Sequence, residues 1–217
     1  MKTVLVTGAN GLLGTNVVLE LLRRGYAVKG LVRSRRRFID YSDPHLHLVT
    51  GDIRDVPSLQ AASRGCDYIV HTAADTSQKH LKISDYDPVN PEGTENILNL
   101  CRQKGIERLV YIGTANTCGY GSKDNPGDGQ APSMPPFNRC LYALSKVKTQ
   151  ELVDAAVAEG LDIVTINPTF MIGPYDYKPS SGRIINMALN RKVVFYPPGG
   201  KNFVHATDVA RGVVTAL

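Results

Sequence analysis

The sequence predicts an α/β fold: a doubly wound parallel sheet. Two observations predict it. Short apolar, β-branched runs alternate with amphipathic helical stretches through most of the chain, and a helix between consecutive strands is what a parallel pair requires. The first run, Lys2 to Thr7, ends in Gly8, Gly11 and Gly14 and passes directly into a helical pattern, so strand, tight turn and helix follow without a gap.

Leu13, Val17, Val18, Leu21 and Leu22 recur on one face of a helix running from Leu12 to Arg24, and Gly25 stands where a C-terminal cap belongs. Tyr26 to Val32 reads as a second strand and His45 to Thr50, which alternates, as a third. A short helix begins near Val56, with Asp55 the better-placed capping residue. Asp67 to His71 is the fourth strand, and a long helix opens near Asn90 and ends near Lys104 and Gly105. Glu107 to Ile112 is the fifth strand, Tyr142 to about Glu159 a helix, Leu161 to Ile166 the sixth strand, and Ile184 to Asn190 a further helix.

Composition narrows the function. A chain of 217 residues can hold one sizeable domain and part of a second, and 42% hydrophobic residues with charges of mixed sign exclude a disordered chain. A net charge of +5 suits an anionic small molecule, while nucleic acid would call for a denser basic face with a reading motif, and none is found. The four cysteines, Cys66, Cys101, Cys118 and Cys140, show neither CxxC pairing nor metal-ligand spacing, so reduced thiols and no metal site are expected. The apolar run from Val4 to Val6 is too short for a signal peptide and nothing reaches membrane-spanning length, so a cytoplasmic protein without membrane contact is expected.

The glycines give the chemistry its first footing. Gly8 supplies a turn, Gly11 lets the backbone approach a pyrophosphate, and Gly14 lets the helix pack closely, with the free N–H groups of the helix start facing the phosphates. A site for NAD places Asp or Glu about 20 residues further on to take the ribose hydroxyl. Arg33 stands there instead. A guanidinium binds a 2′-phosphate bidentately and cannot accept from hydroxyls, so NADP(H) is favoured, with NAD(H) possible. Arg35 to Arg37 read equally well as a solvated turn. Thr72, Ala73 and Ala74 are small residues at a strand end, where a cofactor can lie close to the backbone. Tyr142 and Lys146, at i and i+4, share one helix face. A free phenol titrates at about 10, and a cation beside it favours the phenolate.

Thr7-Gly8-Ala9-Asn10-Gly11-Leu12-Leu13-Gly14 (TGxxGxxG), His71 to Ala74 (HxAA), Asn90 to Asn96 (N-x-x-G-T-x-N) and Tyr142 to Lys146 (YxxxK) occur in the order of the extended short-chain dehydrogenase/reductase family, which the chain resembles along essentially its whole length. Ile172-Gly173-Pro174 with Lys178-Pro179 resembles the dihydroflavonol reductase-like branch. The resemblance implies an NAD(P)-binding Rossmann domain over residues 1–170 and part of a substrate-binding region over 171–217, since family members continue further. It implies that Asn10, Leu12 and Leu13 join the glycines in holding the cofactor, that Asp52 bonds the adenine amino group while Ile53 packs on the ring, and that Asn90 lies near the active site. Pro168 and Thr169 would meet the nicotinamide carboxamide. Tyr142 would be the general acid/base, Lys146 would hold the nicotinamide ribose and lower the tyrosine pKa, and Thr114 would donate to the developing alkoxide. His71, and the F-V-H-x-x-D segment from Phe203 to Asp208, are expected to be structural.

Two positions depart from the family pattern: Gly113 replaces a frequent Ser or Thr, and Cys118-Gly119 a frequent Tyr-Gly. The expected function is NADPH-dependent reduction of a ketone or aldehyde. The alternatives are an NAD-dependent nucleotide-sugar epimerase and a non-catalytic NADP(H) sensor. Dehydratases are disfavoured because Ala115 and Asn116 stand where their acid pair would be. A homodimer paired through the two long helices is implied by resemblance alone.

Overall fold

The computed structural model describes residues 1–217 apart from 123, 130, 178–180 and 196–199, and the side chain of residue 37; the Lys178-Pro179 resemblance therefore lies outside the described residues. Six strands, β1 (Thr3–Thr7), β2 (Ala27–Val32), β3 (Leu46–Thr50), β4 (Tyr68–His71), β5 (Arg108–Ile112) and β6 (Ile163–Ile166), form one sheet in the order β3-β2-β1-β4-β5-β6. Every pair is parallel. The order reverses between β1 and β4, and the crevice at the carboxyl ends of those two strands is where such sheets take ligands.

Alternation along the strands explains why the sheet is covered on both faces. Val4, Val6, Val28, Val70 and Val110 enter one core with Leu13, Val17, Val18 and Leu21 of α1 (Leu12–Arg23). Leu5, Leu31, Ile69 and Leu109, one residue out of phase, enter the other core with Leu59 of α2 (Val56–Ala62), Ile97, Leu98 and Cys101 of α3 (Pro91–Lys104) and Ala156 of α4 (Leu141–Ala158). Strand residues buried on both faces read as continuous apolar runs, as they do from Val4 to Val6.

The chain then makes β7 (Phe170–Ile172), α5 (Arg183–Ala188), β8 (Phe203–His205) and α6 (Ala206–Thr215). β7 and β8 pair in parallel as a separate two-stranded sheet. Val209, Ala210, Val213 and Val214 of α6 are buried in the same core as α1, because α6 presents a row of small and β-branched residues that α1 needs to cover its apolar face. Asn16 of α1 ties this corner together, accepting from the Thr207 hydroxyl at 3.2 Å and donating to the Pro174 carbonyl at 3.1 Å. His205 caps α6, its Nδ1 accepting from the Thr207 N–H at 3.3 Å, so the F-V-H-x-x-D segment packs and caps.

The glycine turn is the tightest contact near the crevice. Gly8 has φ +66°, a left-handed value, and an added Cβ at Gly14 would stand 2.1 Å from the Gly8 carbonyl oxygen. Gly14→Ala should therefore lower the free energy of unfolding by at least the ~1–3 kcal/mol typical of overpacking, because the obstructing atom is backbone. Gly212→Ala, in the exposed interior of α6 with nothing within 4 Å, should be neutral or stabilising by up to ~1 kcal/mol; thermal unfolding of the two variants checks the pair.

Candidate active site

The crevice between β1 and β4 is built from the glycine turn and the start of the loop after β4. The Thr72 hydroxyl donates to the Thr7 carbonyl at 2.7 Å and the Ala73 N–H to the Thr7 hydroxyl at 3.3 Å, which draws the loop so close that a Cβ on Gly8 would stand 2.8 Å from the Ala73 N and Cα. Ala74 follows, half-buried. Gly11 is exposed at the start of α1, its N–H bonded to the Gly8 carbonyl at 2.9 Å. No side chain caps this helix and no acidic residue sits in its first turn, which holds Leu12, Leu13 and Gly14 just past Asn10. An uncapped helix start with backbone-only walls is the donor set a pyrophosphate requires, so the residues present fit a dinucleotide.

At the next strand ends, Arg33 follows β2 with an exposed guanidinium and makes no ion pair among the described residues. Asp52 follows β3. Its carboxylate is held bidentately by Arg54, at 3.0 and 2.7 Å, and that hydrogen bonding, with Arg33 adding at longer range, keeps its pKa below the usual value. Ile53 is 5% exposed and lies against Gly93 of α3, within the core on that side of the sheet. Asp55 corrects one expectation. It occupies the N-cap position of α2, but its side chain makes no capping bond.

Two buried polar bridges hold the strand ends. His71 joins Thr7, at 2.7 Å through Nδ1, to Thr94 of α3, at 3.1 Å through Nε2. Burial, then the Lys146 charge, push its pKa down to about 3, so it is a neutral bridge. Asn90 is 2% exposed; its amide donates to the Asp75 carbonyl at 3.1 Å and the Ser145 hydroxyl at 2.9 Å and accepts from the Asp75 N–H at 2.8 Å. It thereby latches the loop after β4 to α4, with its hydrogen-bonding groups already engaged by protein. Pro168 accepts from the Ala115 N–H at 3.0 Å, and Thr169 donates to Asn202 at 2.7 Å.

Thr114, Tyr142 and Lys146 converge at the end of β5. Thr114 is 8% exposed and starts a short turn by accepting from the Asn116 N–H at 3.3 Å. Burial pushes the phenol of the partly buried Tyr142 up to about 12, with Cys140 and Tyr86 adding to the effect and a hydrogen bond with Thr114 opposing it. The Tyr86 ring lies 6.3 Å from that of Tyr142, and His80, bonded to Asp75 at 2.8 Å, packs edge-on against Tyr86 at 4.6 Å. Lys146 is 3% exposed, and its amine is bonded to the Tyr111 hydroxyl at 2.6 Å and the Ile112 carbonyl at 2.9 Å, so in the protein alone burial dominates over any pull on Tyr142. The amine itself is pushed down to about 7 by the same burial.

A Cβ at Gly113 would stand 1.9 Å from the Asn167 Oδ1, so a Ser or Thr there would require the Asn167 side chain to turn away. Sequence reasoning missed Tyr111, Ser145 and Asn167. The strand alternation that hides Tyr111 in an apolar run carries no sign of a polar function, whereas Ser145 lies inside the YxxxK motif and was open to notice.

Residues 4–217 match the model of the NAD dependent epimerase/dehydratase family. A Synechocystis protein named "Putative dihydroflavonol 4-reductase" is 35% identical over 97% of this chain, and sterol demethylase protein B of Methylococcus capsulatus is 30% identical over 99%. The chain spans 62% and 66% of the lengths of these two relatives. Among solved structures, Bordetella bronchiseptica WbmH in complex with NAD+ is 26% identical with a TM-score of 0.82, covering all of this chain and 71% of its own. Thermus thermophilus UDP-glucose 4-epimerase in complex with NAD is also 26% identical, with a TM-score of 0.81 over 99% of this chain and 74% of its own.

Burial of Lys146 makes stability depend on pH. An unfolded lysine titrates near 10.5 and the folded one at about 7, so between those values the unfolded chain binds a proton that the folded chain lacks. Stability contributed by this site therefore rises with pH through that window, and the full penalty applies below it. The stability difference between wild type and Lys146→Met should shift in favour of wild type by at most about 1.4 kcal/mol per pH unit between pH 7 and 10, read from denaturant unfolding at each pH.

Proposed function

The chain belongs to the NAD dependent epimerase/dehydratase family, and within it we propose that it is an NADPH-dependent oxidoreductase that reduces a ketone or aldehyde, of the dihydroflavonol reductase-like kind. The observation that carries this reading is the meeting of Thr114, Tyr142 and Lys146 at the end of β5, beside the glycine crevice. A phenol held at about 12 stays protonated near neutrality and stands beside the Thr114 hydroxyl, which suits a group that gives a proton to an oxygen gaining electrons.

Bound NADPH supplies the hydride. The glycine turn and the start of α1 hold its pyrophosphate, Arg33 takes the 2′-phosphate, and the Lys146 ammonium takes the nicotinamide ribose. Thr114 donates a hydrogen bond to the substrate oxygen as negative charge builds there, and Tyr142 transfers its proton to that oxygen. The wall of Tyr86, His80 and Asp75 borders the substrate beside Tyr142. The same reading makes the protein a cytoplasmic homodimer paired through α3 and α4.

A second reading has support from the solved neighbours with NAD, one of them a UDP-glucose 4-epimerase. Such an enzyme begins by oxidising a hydroxyl, for which Tyr142 would need to be a base. Mass spectrometry of the protein purified without added ligand separates the two, since retained NAD favours the epimerase and a dinucleotide-free protein the reductase.

Tyr142→Phe should lower kcat for carbonyl reduction by about 10²- to 10⁴-fold while NADPH affinity stays near that of wild type, in steady-state kinetics and a binding titration. Arg33→Ser should raise the KM for NADPH about tenfold and leave that for NADH unchanged. A wild type that prefers NADH overturns the role of Arg33.

A further inference from the structure

The Lys146 amine is buried, and among the described residues it makes no ion pair with a carboxylate. Its two bonds inside the protein, 2.6 Å to the Tyr111 hydroxyl and 2.9 Å to the Ile112 carbonyl, both run to β5, the strand that leads into Thr114. An ammonium carries three N–H donors and a neutral amine two. Two fixed acceptors set the orientation of the group, and the third N–H of the ammonium is the one left for a ligand.

The two acceptors differ in kind. A backbone carbonyl is present whatever residue 112 is, whereas the hydroxyl at residue 111 exists only because that residue is tyrosine. Phenylalanine would fill the same buried space without it. Tyr111 is 1% exposed and burial raises its pKa far above the ordinary value, so it is a neutral phenol. The titratable groups around the amine are Tyr111 on β5, His71 on β4, whose ring lies 6.1 Å from that of Tyr111, and Tyr142 on the same helix as Lys146.

We propose that Tyr111 is a positioning residue: its hydroxyl, with the Ile112 carbonyl, holds the Lys146 amine so that the remaining N–H is turned toward the dinucleotide ribose. Tyr111 touches neither cofactor nor substrate and acts only through Lys146. The assignment rests on the reading of Lys146 as the ribose-binding residue.

Steady-state kinetics with NADPH on wild type, Tyr111→Phe, Lys146→Met and the double variant test it. Tyr111→Phe should raise the KM for NADPH about tenfold, the scale of a lost hydrogen bond to a charged group, with a smaller change in kcat. In the Lys146→Met background the same substitution should add nothing. An unchanged KM, or the same increase in both backgrounds, overturns the proposal. Tyr111→Met is the second variant without a hydroxyl, should Phe not fold. Nuclear magnetic resonance of ¹³Cε-labelled lysine supplies a readout without turnover: loss of the acceptor moves the Lys146 titration to lower pH, and an unmoved midpoint overturns the proposal. Failure of the wild type to bind NADPH removes the reading of the whole site, whereas a wild type that binds, with Tyr111→Phe indistinguishable from it, removes only the role of Tyr111.

Discussion

The close approach of Gly14 to the Gly8 carbonyl is the constraint on which the rest depends. It lets α1 begin almost at the end of β1, so the free N–H groups of its first turn open onto the crevice at the strand reversal. The loop after β4 is drawn in by Thr72 and Ala73 bonding to Thr7, and could not come so near if Gly8 carried a side chain. One missing atom at each of two positions thus sets the width of the groove.

Across the sheet, at the end of β5, the governing feature is a cation out of water. Lys146 has a hydroxyl and a carbonyl for company and, among the described residues, no carboxylate partner, an arrangement that disfavours the folded state near neutral pH. Neighbouring groups are arranged to be neutral beside it: His71 stays unprotonated, and Tyr111 and Tyr142 stay protonated. Added negative charge or acceptors from a ligand would relieve the amine.

Much of this was legible in the sequence because it rests on local chemistry. The glycines mark themselves by spacing, β1 and β4 by uninterrupted apolar runs, and α3 by Pro91 at its start and Gly105, with φ +63°, at its end. The contact of Ile53 with Gly93, forty residues on, was not legible, because an apolar residue after a strand carries no local sign of its partner. The place of α6 was hidden for the same reason: nothing local to residues 206–215 says that their partner is α1. Tyr111 and Asn167 needed tertiary distances, since each matters through a neighbour on another element.

The union of α1 with α6 bears on how the protein is made. The apolar face of α1 is finished by residues 209–214, almost two hundred positions later, so a growing polypeptide cannot seal that core until nearly all of these residues have left the ribosome. Until then the part of the α1 surface that α6 covers would stand open to water, an apolar exposure that favours aggregation. Synthesis that pauses before residue 206 leaves the nascent domain in its most vulnerable form.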